Sequence, residues 1–404
     1  MTNGEKSGKV ESVMNILDCK ASIRERFSGT VEILENVPTK KITTFGLGVP
    51  VPLLLEPNSV SALQELVSFL KERGVPWFVL GAGSNTVFPD APLQKAVIRL
   101  GREFDKACFY KSIQDVGRTA TEVACRDARS CVSARDSARV SAEPGENMFA
   151  LAYAKTSLMN LSAVTCAKGL SGLEFGGGIP ASIGGAVLIN AGAHGWDIGS
   201  VTEEVWYLDN RGEVVKLGKG NVVKSGNDES GKSGKDEAVK SDKDELVKSG
   251  EGEAVESDKD NVVKSDNDEL EFSYRYSNLP RDCIVLAAVL KLTKQDVAEV
   301  QAKRQQGLDY RKKNQPISMP SAGSIFRNPS GGTTPAGKLI DDAGLKGFRI
   351  GSCEVSRINA NWIVRVAEEG RQSDLLEIMQ VVRDRVQEKF GVTLESEVVI
   401  VEAI

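Results

Sequence analysis

Residues 169–195 read GLSGLEFGGGIPASIGGAVLINAGAHG, the densest glycine region of a 404-residue chain that holds 39 glycines. The run NLSAVTCAKGLSGLEF (160–175) leads into it as a helix expected to end near Gly169. After it come two strand-like runs, EVWYLDN (204–210) and EVVKL (213–217), on either side of Arg211-Gly212, a hairpin-like turn. Glycine at this density lets a backbone approach another group closely and present its N–H groups to an anion.

A second glycine loop lies upstream. SVSALQELVSFLKERG (59–74) places Leu63, Leu66, Val67 and Leu70 on one helical face, with Asn58 or Ser59 to cap it and Gly74 to end it. The short apolar strand PWFVL (76–80) and the loop GAGSN (81–85) follow. Helix, strand and glycine loop in this order are an α/β signature. The loop argues against a Rossmann site, because the third glycine of its fingerprint is missing: position 86 is Thr, and VFPD follows where a helix should open. No P-loop motif is present. Gly81 and Gly83 still suit a pyrophosphate, with Ser84 and Asn85 to add hydrogen bonds, and Ser182 in the later block offers another polar contact. Two such loops favour a large ligand; the alternative is two tight turns beside buried strands.

The length allows two or three domains. Lys and Arg number 51 and Asp and Glu 56, a formal net charge of -5. Residues 214–269 hold 15 acidic residues and 10 lysines, which leaves 41 of each sign elsewhere, so the acidity belongs to one segment and not to the fold. This balance argues against a nucleic-acid binder. The seven cysteines include no C-x-x-C pair, which argues against a disulfide framework or a zinc site and fits a reducing cytosol. With a polar start and no span suited to a membrane, the expected location is cytoplasmic. His194 is the one histidine, so a site needing several is impossible, and its plain reading is a polar loop residue.

Four domain-level segments are expected: a polar tail over 1–24, then 25–100, 101–292 and 293–404. Residues 121–146, rich in Ser, Ala and Arg, read as a surface insertion. From 214 to 269 the chain repeats with period eight (VVKSGNDE, AVKSDKDE, VVKSDNDE), and 218–269 is expected to be disordered, since each unit offers too few apolar residues to offset its ordering. FSYRYS (272–277) and CIVLAAVLKL (283–292) read as strands, 301–316 as a polar basic connection, SDLLEIMQVVRDRVQEKF (373–390) as an amphipathic helix and LESEVVIVEAI (394–404) as a terminal strand.

Three polar residues stand out chemically: Arg275 between two tyrosines, Ser324 in PSAGSIFRNP (320–329), and Glu397 among apolar residues in LESEVVIV. Alone they would read as a surface arginine, a turn serine and an edge carboxylate. However, TTFGLG (43–48), LGAGSN (80–85), the block 169–195, FSYRYSN (272–278), QPISMPSAGSIFRNP (315–329), AGKLIDDAGLKGFRIG (336–351) and LESEVVIV (394–401) together resemble the UDP-N-acetylenolpyruvoylglucosamine reductase (MurB) family, over nearly all of 25–404.

That resemblance implies an α+β, three-domain flavoprotein: a vanillyl-alcohol-oxidase-type (PCMH-like) FAD-binding fold with a C-terminal substrate domain. It implies non-covalent FAD, NADPH as hydride donor, and a small-molecule substrate, the enolpyruvyl ether of UDP-N-acetylglucosamine, reduced to UDP-N-acetylmuramate for peptidoglycan. By the same match, Arg275 binds the substrate carboxylate, Glu397 is a protonated donor and Ser324 is the general acid. Cofactor contacts are expected from Gly81, Ala82, Gly83, Ser84, Asn85, Gly178, Ile179, Pro180, Ser182, Ile183, Gly184, Gly185 and Arg349, and substrate contacts from Tyr274, Asn328 and, among the basic residues 311–313 that suit a diphosphate, Lys313. No metal, nucleic acid or membrane is implied. The family's His before Ala-Asn is Asn359 here, its Lys before QP is Asn314, and the tyrosine-bearing loop of one subclass has no counterpart. The rivals are an FAD-linked oxidase of the same fold and a non-catalytic flavoprotein scaffold.

Overall fold

The computed structural model describes residues 16–116, 142–219, 262–264 and 269–403. The expected insertion at 121–146 and the repeat at 218–269 therefore lie mostly outside the described residues.

The first sheet has four strands in the order Val31–Val37, Val51–Pro57, Ala96–Ile98, Trp77–Val79. Val51–Pro57 is buried at nearly every position and pairs antiparallel with Val31–Val37 and parallel with Ala96–Ile98. The helix Val60–Glu72 starts where its sequence signals place it: the Ser59 side chain accepts from the Ala62 N–H at 3.1 Å. Its Leu63, Leu66, Val67 and Leu70 are buried as the periodicity predicts. Residues 16–24 of the expected tail belong to the fold: Ile16–Cys19 and the helix Lys20–Arg26 bury Ile16, Cys19 and Ile23 in the same core. Lys20 and Arg24 both pair with Glu35 on the first strand, which fixes that helix to the sheet.

The second sheet is built on Ile284–Lys294, an 11-residue strand. It is flanked by Asn147–Tyr153 and Thr202–Leu208, and Ile284 to Leu290 are all buried, so both faces are covered and the strand reads as a continuous apolar run rather than an alternating one. The hairpin expected around Arg211-Gly212 is present, with Thr202–Leu208 paired to Val214–Gly218 and Gly212 at φ +85°. The helix Leu158–Ala167 precedes the glycine block and Ile183–Leu188 lies within it, each capped by a serine, Ser157 and Ser182.

A third sheet, in the order Ser321–Ser324, Trp362–Arg365, Cys353–Val355, Arg349–Ile350, packs with the helices Ala336–Asp342 and Gln372–Phe390 around a separate core. Leu375, Met379, Val382 and Val386 are buried there, and Gly391 ends the long helix at φ +68°.

Two elements cross the expected boundary at 292/293. The polar stretch 301–316 is largely helix, Val297–Asn314, and it lies on the glycine block rather than on the third sheet. The chain end also returns to the first part of the molecule, with Val399–Ile400 paired parallel to Thr86–Val87 just after the GAGSN loop. The expected terminal strand is thus confined to two residues of 394–404. This return brings Glu397 beside the first glycine loop.

Candidate active site

The two glycine loops lie side by side. A Cβ built on Gly81 would stand 2.8 Å from Ser182 Oγ. Gly83, at φ +68°, is pressed so closely on the carbonyl of Ile42 that no side chain fits. Among the described residues, the backbone N–H groups of 81–85 donate to no protein acceptor, so the loop leaves a row of donors free for an anion. The second loop differs. Its Ile183 and Gly184 N–H groups are already used, on Thr156 O and Ala154 O at 2.9 Å each, and Gly184 lets the helix approach Ala154. Its contribution is close approach. Free donors in the first loop and bare backbone in the second fit the diphosphate and body of a dinucleotide cofactor such as FAD.

The helix Val297–Asn314 closes over this region. Arg304, Gly307 and Arg311, spaced to share one face, meet Gly177, His194 and Gly178 respectively. Arg304 Nε donates to Ser162 Oγ at 3.2 Å. Arg311 has no hydrogen bond or ion pair among the described residues, and burial lowers its pKa. Lys313, two residues on, is about 200° around the helix from Arg311 and exposed. The structure therefore brings Arg311, and not Lys313, against the glycine block. Arg349 is exposed, its Nε donating to Gly351 O in its own hairpin at 3.1 Å, and among the described residues no hydrogen bond or ion pair joins it to the loops.

FSYRYS is two short strands and not one. Phe272–Ser273 pairs with Tyr276–Ser277, and Tyr274-Arg275 forms the two-residue turn. Arg275 takes φ +56°, a place usually given to glycine or asparagine. Such a conformation costs about 1–3 kcal/mol and persists where the surroundings over-determine it. Here they do: Arg275 Nε donates to Glu397 Oε1 at 2.6 Å, its other nitrogen reaches Gly192 O at 3.4 Å, and the guanidinium lies 5.3 Å from the Tyr274 ring.

Glu397 is placed by three backbone-level bonds. Its N–H donates to Ile325 O at 2.8 Å, its carbonyl accepts from Asn85 Nδ2 at 2.9 Å, and Val399 N–H donates to Asn85 O at 2.9 Å. Asn85 thus spends its side chain on the backbone of Glu397. Burial pushes the Glu397 carboxyl above the usual range, against the pull of Arg275 and, more weakly, Arg327. Ser324, half-buried, ends a strand paired to Trp362, and its neighbour Ile325 is the residue bonded to Glu397. Ser324 and Glu397 therefore lie on neighbouring segments, joined by this bond and by the bridge between Phe326 and Ser396. Tyr274 and Asn328 also meet, the Asn328 N–H donating to the tyrosine hydroxyl at 3.2 Å, while Asn328 Oδ1 accepts from Ala336 N–H.

The C-terminal domain profile of UDP-N-acetylenolpyruvoylglucosamine reductase matches residues 315–401, and an FAD binding domain profile matches 51–218. A reductase of that name from Anoxybacillus flavithermus is 31% identical over 375 residues, covering 92% of this chain and 95% of its own. This chain belongs to the UDP-N-acetylenolpyruvoylglucosamine reductase family. The corresponding enzyme of Bacillus velezensis is 32% identical over 381 residues, 94% of this chain and 96% of that one. The crystal structure of the MurB reductase from Thermus caldophilus superposes with a TM-score of 0.60 at 27% identity, over 92% of this chain and 99% of the other. The α+β fold with an FAD-binding part and a family C-terminal domain agrees with the expectation from sequence. Among the described residues, no helix is long and apolar enough to cross a membrane.

Two residues that the motifs did not flag help to build the site. Asn361 is buried and holds Phe326 by both its amide atoms. Arg327 has a buried Nε without a partner among the described residues and acts on Glu397. A buried asparagine leaves no periodic signal, but the N-A-N spacing at 359–361 was visible.

Proposed function

We propose that Arg275, Glu397 and Ser324 carry out, in this chain, the family's NADPH-dependent reduction of the enolpyruvyl ether of UDP-N-acetylglucosamine to UDP-N-acetylmuramate, a step of peptidoglycan precursor synthesis. The enzyme is an FAD-containing oxidoreductase of this family. The single observation that carries the residue assignment is the Arg275–Glu397 contact, made by residues 122 apart in sequence, beside the strand end that bears Ser324.

When held by the backbone of the two glycine loops, FAD would supply hydride chemistry between NADPH and the terminal alkene carbon. Negative charge then develops toward the carboxylate, and a guanidinium held at that end stabilises it more as it grows. Glu397, whose carboxyl is held above the usual range by burial, donates in its protonated form a hydrogen bond to the same charge. Ser324 gives the proton to the carbon next to the carboxylate, which completes the lactyl ether. Free N–H groups at 81–85 and the bare backbone at 178–185 hold the cofactor, and Arg311 meets the substrate diphosphate in place of Lys313. Tyr274 and Asn328, already joined, line the substrate side. A cytoplasmic location suits Cys166, Cys283 and Cys353, which are buried and free among the described residues.

An anaerobic spectrum tests the reading. The flavin band of the purified chain should bleach with NADPH and return on adding the enolpyruvyl UDP-sugar. Recovery only on admitting air would indicate an oxidase, and the lack of a flavin band after adding FAD a scaffold.

A further inference from the structure

The Arg275–Glu397 pair poses a charge problem that the functional reading above, on which this inference rests, makes specific. The two side chains retain 20% and 14% of their exposure, and the Nε to Oε1 distance is 2.6 Å. At that distance, and largely out of water, Glu397 is the counter-ion of Arg275. The substrate brings a second carboxylate to the same guanidinium. Whether it takes the Arg275 donors from Glu397 or shares them, Glu397 loses part of its counter-charge and gains a like-charged neighbour. Two carboxylates crowded into one site do not both stay ionised.

The groups that face Glu397 can be named element by element. The 272–277 hairpin contributes Arg275, and the segment around Phe326, bonded to 395–397, contributes Arg327. The loop before Thr86 contributes the uncharged Asn85 amide. Arg327 opposes protonation, but its Nε makes no bond to Glu397 or to any other protein acceptor among the described residues. Even with both guanidiniums in place, burial outweighs them and holds the carboxyl above its usual range.

We infer that binding of the enolpyruvyl carboxylate beside Arg275 drives Glu397 to take up a proton from solvent, so that substrate binding itself converts the salt-bridged carboxylate into the hydrogen-bond donor that the reduction needs. The balance is simple: the Glu397 carboxylate gains one proton, and no bond in the substrate changes. The site thus arms its donor only when substrate is present.

Calorimetric titration of the FAD-loaded, oxidised enzyme without NADPH, at pH 7 in buffers of different ionisation heat, counts the protons exchanged. The enolpyruvyl UDP-sugar should bind with uptake of about one proton per site. UDP-N-acetylglucosamine, which lacks the carboxylate, should bind with uptake near zero, and so should the enolpyruvyl sugar to Glu397→Gln. The infrared difference spectrum of the unaltered chain should also gain a protonated-carboxyl band on binding, which keeps the test independent of how well the variant folds. Binding without uptake, or uptake that persists unchanged in Glu397→Gln, would overturn the inference and leave the assigned reaction standing. No binding of the enolpyruvyl sugar at all would overturn both.

Discussion

Asn361 grips Phe326 at both of its peptide groups: Asn361 Nδ2 donates to the Phe326 carbonyl at 2.8 Å, and the Phe326 N–H donates to Asn361 Oδ1 at 3.0 Å. The Ile325 N–H adds a third bond, to Asn361 O at 2.8 Å, and the Asn361 N–H is itself fixed by Asn359 Oδ1. On the other side, Ile325 and Arg327 bond to Glu397 and Glu395. The segment that follows Ser324 is therefore clamped between an amide and the backbone of 395–397, which carries Glu397.

Asn361→Ala should leave the buried Phe326 carbonyl without its donor and cost about 1–3 kcal/mol of stability. Because the clamp sits two residues from Ser324 and one from the bond to Glu397, reoxidation of reduced flavin by substrate should slow, while reduction by NADPH changes little. Stopped-flow measurement of the two half-reactions checks this, and a parallel loss in both would make Asn361 merely structural.

Ser324→Ala gives a sharper separation. The hydroxyl has no hydrogen-bond partner among the described residues, so removing it leaves no buried group unpaired and should barely affect the fold. Loss of a positioned general acid typically lowers the rate by about 10²–10⁴. That loss should fall on the substrate half-reaction alone. Equal slowing of flavin reduction would remove Ser324 from its role.

Much of this site was legible because its chemistry is carried by unusual local composition. Two glycine loops, a capped amphipathic helix and a serine-glycine strand end each leave a mark within a short window. What the sequence did not disclose depends on partners far away. FSYRYS alternates like a strand, and its turn lacks the glycine or asparagine that would announce it, so the strained Arg275 is visible only once Glu397 and Gly192 hold it. The Val297–Asn314 helix buries only Val300 among its apolar residues and packs through Arg304 and Arg311 on glycines, so no hydrophobic period marks it. LESEVVIV reads as one strand, yet its first part bonds to 325–327 and its last to 86–87.

The glycines of the first loop predict unequal sensitivity. Gly83→Ala must place a methyl against the Ile42 carbonyl and 2.9 Å from Thr43 Cα, at φ +68°, and backbone cannot yield there. Left-handed backbone alone costs about 1–2 kcal/mol for a residue with a Cβ. Gly81→Ala meets only Ser182 Oγ, a side-chain atom that can shift at the expense of its 3.4 Å cap on the Gly185 N–H. FAD titration into the apoprotein should show at least about a tenfold weaker Kd for Gly83→Ala and less than about a threefold change for Gly81→Ala. Similar losses for both would mean that the loop does not form the cofactor cradle.

Arg311 supplies the last contrast. Its Nε lies 2.6 Å from where a Cβ on Gly178 would stand, and burial lowers its pKa without a protein anion to offset the cost. A desolvated, unpaired cation destabilises the free protein, so Arg311→Met, which keeps the aliphatic stem, should raise the unfolding free energy by about 1 kcal/mol. The same change removes a charged hydrogen bond to the diphosphate, typically about 1.5–3 kcal/mol, and KM for the UDP-sugar should rise by roughly 10–100-fold. Lys313→Ala, on the far side of the helix, should leave both quantities unchanged. A more stable protein with weaker substrate binding is the signature of a residue kept for its ligand. If instead Arg311→Met sheds its flavin while KM stays constant, the guanidinium serves the cofactor diphosphate; if stability falls, Arg311 has a protein partner after all.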